Sequence, residues 1–102
     1  MTNYKKSRAS YPDGILAIYE NRKAIDRYTV VFAPDVVDGV AWFTTLHMSE
    51  RIGDGQGYCQ HGQYSFRPTR SQGDRVVDFD ALPAGCRSAV EWDLQQMAGG
   101  AE

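Results

Sequence analysis

The clearest periodic pattern in this chain is helical and lies near the C-terminus. Apolar residues recur there every three or four positions, at Leu82, Cys86, Ala89, Val90, Leu94 and Met97. Pro83 suits the first position of a helix, and Gly99 with Gly100 ends it. Because a helix with one apolar face buries that face against another element, the rest of the chain has to supply a surface for it.

The segments before this helix carry strand patterns. Runs that are apolar, or that alternate between apolar and polar residues, occupy 15–19, 28–33, 40–48, 58–67 and 75–79. The turn Pro12-Asp13-Gly14 precedes the first run, the polar residues 20–23 follow it, and Pro34 and Asp38-Gly39 separate the second run from the third. The sequence therefore predicts an α+β fold, a mainly antiparallel sheet of four to five strands with the C-terminal helix packed on one face.

The length of 102 residues fits one domain. Residues 1–12 lack an apolar period and are predicted to be a flexible tail, 13–98 to form the domain, and 99–102 to be a flexible C-terminus. The chain has no apolar run of membrane-spanning or signal-peptide type. Two cysteines without C-x-x-C spacing predict separate thiols in a reducing compartment. We therefore expect a cytoplasmic protein with no membrane contact and no cofactor.

The charge balance opposes a dedicated nucleic-acid-binding protein. The formal net charge is −2, from 11 Lys and Arg against 13 Asp and Glu, whereas such proteins use many basic contacts to phosphate. Residues 1–34 hold six basic and three acidic side chains, and residues 35–66 hold one basic and four acidic. A solvated face explains this asymmetry, which could also steer a charged partner.

Asp93 is the oddest residue of the predicted helix because it falls inside the apolar stripe, between Ala89 and Met97. A carboxylate on a packing face needs a partner, since burying it unpaired is strongly unfavourable. We expect a structural ion pair or hydrogen bond, to an arginine or to a backbone turn, rather than a catalytic acid.

A glycine-rich loop at 50–57 and its flanks hold most of the groups that could carry chemistry. The loop lacks the motif and the strand-to-helix context of a phosphate-binding loop, so we interpret it as a connector. A small enzyme or small-ligand site could draw on His47, Ser49, Glu50, Cys59 and His61. A zinc site could draw on Cys59, His61, Cys86 and His47, but these residues include no C-x-x-C or H-x-x-H pair, and no metal site is predicted.

Three aromatic residues alternate on one face of the fourth predicted strand: Tyr58, Tyr64 and Phe66. Cys59 and His61 take the other face. With Arg67 and Arg70 after them, the aromatic side chains could stack on single-stranded nucleic acid. We favour packing against the helix, because the sheet needs aromatic residues opposite its one long helix.

Three blocks together resemble small uncharacterised proteins encoded by phages, plasmids and other mobile elements of bacteria. The first block is residues 26–32 (DRYTVVF). The second runs over 48–62, from MSE to GYCQHG, and the third over 77–94, from VDF through LP to DL. The likeness covers residues 13–97.

This resemblance implies a compact cytoplasmic protein that binds host machinery, and it implies no catalytic activity. We predict a non-enzymatic interaction protein that binds and inhibits a host protein or ribonucleoprotein complex. This complex belongs to a CRISPR-type defence system or has a regulatory role. The alternatives are the small enzyme or ligand-binding protein and a nucleic-acid accessory module. The polar 47–61 region offers hydrogen bonds and a tyrosine anchor to a protein surface. The predicted partner-binding residues are His47, Ser49, Glu50, Asp54, Gln56, Tyr58, Gln60 and His61.

Overall fold

The predicted sheet and helix both form. The computed structural model of the chain describes residues 10–52 and 57–99. In chain order, the elements are β1 Ile15–Glu20, β2 Tyr28–Phe32, β3 Asp35–Val37, β4 Val40–Met48, β5 Cys59–Tyr64, β6 Arg75–Val76, a 3₁₀ turn Phe79–Ala81 and α1 Ala84–Gly99. The strand pairs are antiparallel. The predicted α+β fold is confirmed.

Strand β4 has the most neighbours in the sheet. Its residues 40–42 pair with β3, and its second part is flanked by β2 and β5. Next to β2 lies β1, and next to β1 lies β6. Strands β5 and β6 are therefore opposite edges of the sheet, and residues 65–74 pass from one edge to the other. We call residues 65–74 the crossing segment.

The β3–β4 hairpin turns through Asp38 and Gly39, at the predicted turn. Both residues have positive φ, 51° and 80°, as a two-residue type I′ turn requires. Val37 pairs with Val40 directly across the turn. The tip of this hairpin leaves four apolar side chains exposed: Val36, Val37, Val40 and Trp42.

The helix covers one face of the sheet, and the main core lies between them. The core includes Ile15, Ile18, Val30, Phe32, Leu46, Met48, Leu82, Cys86 and Val90. A smaller cluster occupies the other face of the sheet, which we call the open face: Leu16, Ala17, Tyr19, Val31 and Phe43. The period of two in β4 predicts this division, since Leu46 and Met48 face the helix and Phe43 faces away from it.

The aromatic side chains beyond the loop do not pack against the helix, and that expectation was wrong. Cys59 and His61 pair with core residues of β4 that face the helix, so they take the helix face. Tyr64 is an odd number of residues from His61 and therefore points to the open face. Phe66 is exposed. Alternation separates the two faces of a strand, but it does not identify the face that the helix covers.

Residues 10–12, part of the predicted tail, are attached to the domain. The Ser10 N–H donates to the Asp78 carboxylate at 2.7 Å. The Tyr11 hydroxyl accepts from the Ile18 N–H at 3.1 Å, and its ring packs on the main core. Residues 1–9 and 100–102 of the predicted termini lie outside the described residues. No helix within the described ranges is long and apolar enough to span a membrane.

Candidate functional site

The predicted partner-binding residues are divided between the two faces of the sheet. His47 lies on the open face, whereas His61 and its neighbour Cys59 lie on the helix face. The imidazole of His47 and the Cys59 thiol therefore do not form a base–nucleophile pair. The carboxylate of Glu50 accepts from Arg27 Nη1 at 2.9 Å. Two further members lie outside the described residues: Asp54 and Gln56.

Asp93 finds its partner in His61. The Nε2 atom of His61 lies 2.7 Å from Oδ2 of Asp93, and the Asp93 side chain is buried while that of His61 is half exposed. This contact ties α1 to the edge strand β5. The expectation of a structural partner is confirmed, with a histidine in place of an arginine or a backbone turn.

Replacing Asp93 with asparagine should lower stability by about 1 kcal/mol, because it removes a charge-assisted hydrogen bond. In a domain of this size the melting temperature should fall by about 4–8 °C. Circular dichroism melting curves measure the change. Glu91→Gln, on the exposed side of the same helix, is the matched control and should melt like the wild type. An Asp93→Asn variant of full stability that no longer binds its partner would contradict a structural role.

The two cysteines lack the features of reactive thiols. Cys59 is exposed, but partial desolvation of its thiol, and after it the negative charge of Asp93, raises the pKa of that thiol. Burial raises the pKa of Cys86 to about 11, and its S–H donates to the Ser49 carbonyl at 3.3 Å. Neither thiol is poised as a thiolate at neutral pH. Among the described residues, no group of three or more His, Cys, Asp or Glu side chains could hold a metal ion.

A row of polar side chains crosses the open face of the sheet. The strand registers place Tyr19 of β1, Thr29 of β2, His47 of β4 and Gln60 of β5 next to one another. Residues from the crossing segment line a cavity together with Tyr19, Thr29 and His47 of this row, so the crossing segment runs over the open face.

The side chains of Asp26, His47 and Thr45 follow the order acid, imidazole and hydroxyl of a hydrolytic triad. Nδ1 of His47 lies 3.5 Å from Oδ2 of Asp26, and Nε2 lies 2.8 Å from Oγ1 of Thr45. In a triad the hydroxyl attacks the substrate. Thr45 is fully buried, so its hydroxyl has no access to a substrate. Nδ1 of His47 also lies 3.3 Å from Oγ1 of Thr29, so the imidazole is held between two threonine hydroxyls in a structural hydrogen-bond chain.

The cavity between the open face and the crossing segment has a volume of about 490 Å³, and we call it the crossing cavity. Its lining includes Tyr19, Asp26, His47, Tyr64, Phe66 and Asp74. Sequence reasoning missed this cavity because the crossing segment has no periodicity that would assign it to a face of the sheet. The aromatic pair before it was the available signal.

A second polar cluster, also missed, lies at the end of β1. The buried carboxylate of Glu20 accepts from Arg27 Nε at 2.8 Å and from Arg75 Nε at 2.6 Å. Arg27 also donates to Glu50, so one guanidinium joins two carboxylates. The paired charges stabilise the end of the strand and leave Glu50 engaged within the protein.

Strand β5 presents a free edge. The Ser49 N–H donates to the Tyr58 carbonyl at 2.8 Å, in line with the β4–β5 register. Because backbone groups alternate in direction along an antiparallel pair, those of Gln60, Gly62 and Tyr64 point towards β4. The N–H and carbonyl groups at positions 59, 61 and 63 point outwards, and no strand among the described residues pairs with them.

No family model, curated protein or solved structure matches the chain. The resemblance to proteins of mobile elements, and with it the cytoplasmic location and the host partner, therefore stays a prediction. The free edge of β5 and the crossing cavity are two places where the described residues offer groups that a partner or a ligand can bind.

Proposed function

We propose that the chain is a non-enzymatic interaction protein that binds an extended segment of another protein along the free edge of β5. The observation that carries this proposal is the row of outward-facing backbone groups at Cys59, His61 and Gln63, which have no strand partner among the described residues. Such groups hydrogen-bond an added strand in the recognition mode called β-augmentation.

The edge lacks the features that keep other strands away. Residues 59–64 contain no lysine and no proline, and their one titratable base is His61. Natural edge strands are commonly blocked by lysine, proline or a covering element. No strand of the described residues lies against this edge, and positions 59, 60, 61 and 63 are exposed, so a partner strand can approach β5 there.

Side chains beside this edge can supply specificity. The Tyr58 hydroxyl donates to the side-chain carbonyl of Gln60, which keeps both groups together on the open-face side. His61 and Gln63 take the other side of the strand and are exposed. Tyrosine is a common anchor in interfaces, and the polar groups fix the register of a partner segment by directional hydrogen bonds.

The resemblance extends the proposal to the partner. We infer a host protein or ribonucleoprotein complex of a defence or regulatory system in the bacterial cytoplasm, bound through its protein surface. The acidic middle of the chain supports a protein partner, because residues 35–66 would repel a phosphate backbone.

Replacing Gln63 with proline should weaken partner binding at least about tenfold, because it removes an outward N–H and places a ring in the path of an added strand. The tagged full-length chain is used to capture complexes from a lysate of bacteria carrying a CRISPR-type system, and the bound species are quantified by mass spectrometry. The wild type should retain one stoichiometric complex.

Gln63→Ala is the matched control, since it loses the side chain but keeps the N–H. It should capture the complex as the wild type does, and both variants should show wild-type circular dichroism. Capture that is equal with Gln63→Pro and Gln63→Ala, or no stoichiometric complex with the wild type, would contradict the proposal.

A further inference from the structure

The floor of the crossing cavity contains a hydroxyl with no hydrogen-bond partner among the described residues. Tyr19 is 7% exposed and lines the cavity, and its hydroxyl makes no hydrogen bond with the described residues. Within that part of the chain, every fully buried side-chain nitrogen or oxygen has a partner. The Tyr19 hydroxyl must therefore reach open space, and the space in front of it is the cavity. A ligand that enters the cavity can hydrogen-bond to this group.

The wall of the cavity is aromatic. The rings of Tyr64 and Phe66 lie 5.4 Å apart between centroids and are inclined by 59° to each other. Phe66 is exposed although it borders a cavity, so its face is open to a bound group. Aromatic faces carry negative electrostatic potential and attract ammonium and guanidinium groups.

The charges around the cavity are acidic in balance. Asp26 and Asp74 both line it. The Asp74 carboxylate accepts from the Ser71 N–H at 3.0 Å, which uses one of its several acceptor positions. The one guanidinium in the lining, that of Arg27, is already bound to Glu20 and Glu50. Asp26 contacts Nδ1 of His47 at 3.5 Å, whereas the Asp74 carboxylate has no cationic partner among the described lining residues.

We propose that the crossing cavity binds an organic cation, an ammonium or guanidinium group, with Asp26 and Asp74 as its counter-ions, the Tyr64–Phe66 pair as its wall and the Tyr19 hydroxyl as an additional hydrogen-bond partner. The volume of about 490 Å³ lies within the usual range for small-ligand sites. The cation can come from a free amine or from a lysine or arginine side chain of a protein. This site goes beyond the β5 edge and does not depend on it.

Titration of the ¹⁵N-labelled full chain with agmatine, which carries both cationic groups, tests the proposal by NMR. Saturable shifts should appear at the amides of 19, 29, 47 and the crossing segment. Asp74→Asn should weaken binding about tenfold, because it removes a charged hydrogen-bond acceptor. Tyr19→Phe should also weaken binding while the melting temperature stays at the wild-type value, since the hydroxyl makes no hydrogen bond with the described residues.

The blocked tripeptide acetyl-Gly-Arg-Gly-amide distinguishes the two sources of the cation. If both probes bind, the natural ligand can be a lysine or arginine side chain of a protein. If agmatine alone binds, the natural ligand is a free amine. Asp80→Asn, which makes the same change in net charge outside the cavity, is the control and should bind agmatine normally. The proposal is overturned if no saturable shifts occur at the cavity, if the neutral butylurea binds as tightly as agmatine, or if Asp80→Asn weakens binding as much as Asp74→Asn.

Discussion

Replacing Arg27 with leucine is expected to lower the free energy of unfolding by about 3 kcal/mol, because it leaves a buried carboxylate with one charged partner. The Glu20 side chain is 4% exposed and lies 2.7 Å from Arg27 Nη2 and 2.6 Å from Arg75 Nε. Arg75 is mostly exposed and makes one of these contacts, whereas Arg27 binds through two nitrogens and also reaches Glu50. Arg75→Leu should therefore have the smaller effect.

Urea denaturation measures these differences, with Arg22→Leu as the control. Arg22 is an exposed arginine near the same end of the sheet, and a surface substitution of this kind should change stability by less than about 0.5 kcal/mol. Equal stabilities of Arg27→Leu and Arg22→Leu would show that the Glu20 cluster contributes little, since the two variants lose the same charge and gain the same side chain.

The same cluster makes stability depend on pH. Burial acts to raise the pKa of Glu20, but the hydrogen bonds from Arg27 and Arg75 outweigh burial and hold the pKa below its usual 4.5. Because the folded-state pKa is the lower one, Glu20 stabilises the protein fully above about pH 4.5 and loses this contribution as the pH falls through the folded-state pKa. Glu20→Gln should remove this part of the acid dependence, so the stability gap between the variant and the wild type should narrow on acidification.

The spacing of apolar residues in the sequence predicted the parts of the fold that depend on local side-chain direction. Alternation in β4 assigned Leu46 and Phe43 to opposite faces, and the helical stripe assigned Cys86 and Val90 to the core. The stripe also identified Asp93 as a carboxylate that needs a partner. These inferences hold because side-chain direction follows from local backbone geometry.

The candidate site depends on long-range placement, which periodicity does not report. Glu20 falls just after the predicted first strand, and its hydrogen-bond partners Arg27 and Arg75 lie 7 and 55 residues further along the chain. The crossing cavity arises because β5 and β6 are opposite edges, so that residues 65–74 have to cover the open face. Strand order, rather than any local signal, brings Asp74 to the same cavity as Asp26.

Two aromatic residues show how far apolar character alone can mislead about burial. Trp42 shares the helix-side face of β4 with Leu46, and it is the largest apolar residue of that strand. The helix does not cover this end of β4, and Trp42 is 39% exposed on the hairpin whose tip is Asp38-Gly39. Phe32, at the end of β2, is fully buried in the main core. Burial therefore follows the reach of the helix rather than the size of the side chain.

Phe32→Ala should cost about 3–5 kcal/mol, since it removes a fully buried ring and leaves a cavity that the neighbouring strands can fill only in part. Trp42→Ala should cost less, about 1–2 kcal/mol, because the Trp42 side chain is 39% exposed and its removal opens no closed cavity. Urea denaturation of both variants measures the two losses of unfolding free energy. If this free energy falls with urea concentration at the same slope in both variants, their unfolded states are comparable. If Trp42→Ala proved as destabilising as Phe32→Ala, the hairpin would have to be covered in solution, by another part of the chain or by a second copy, and the exposed apolar tip would be an interface.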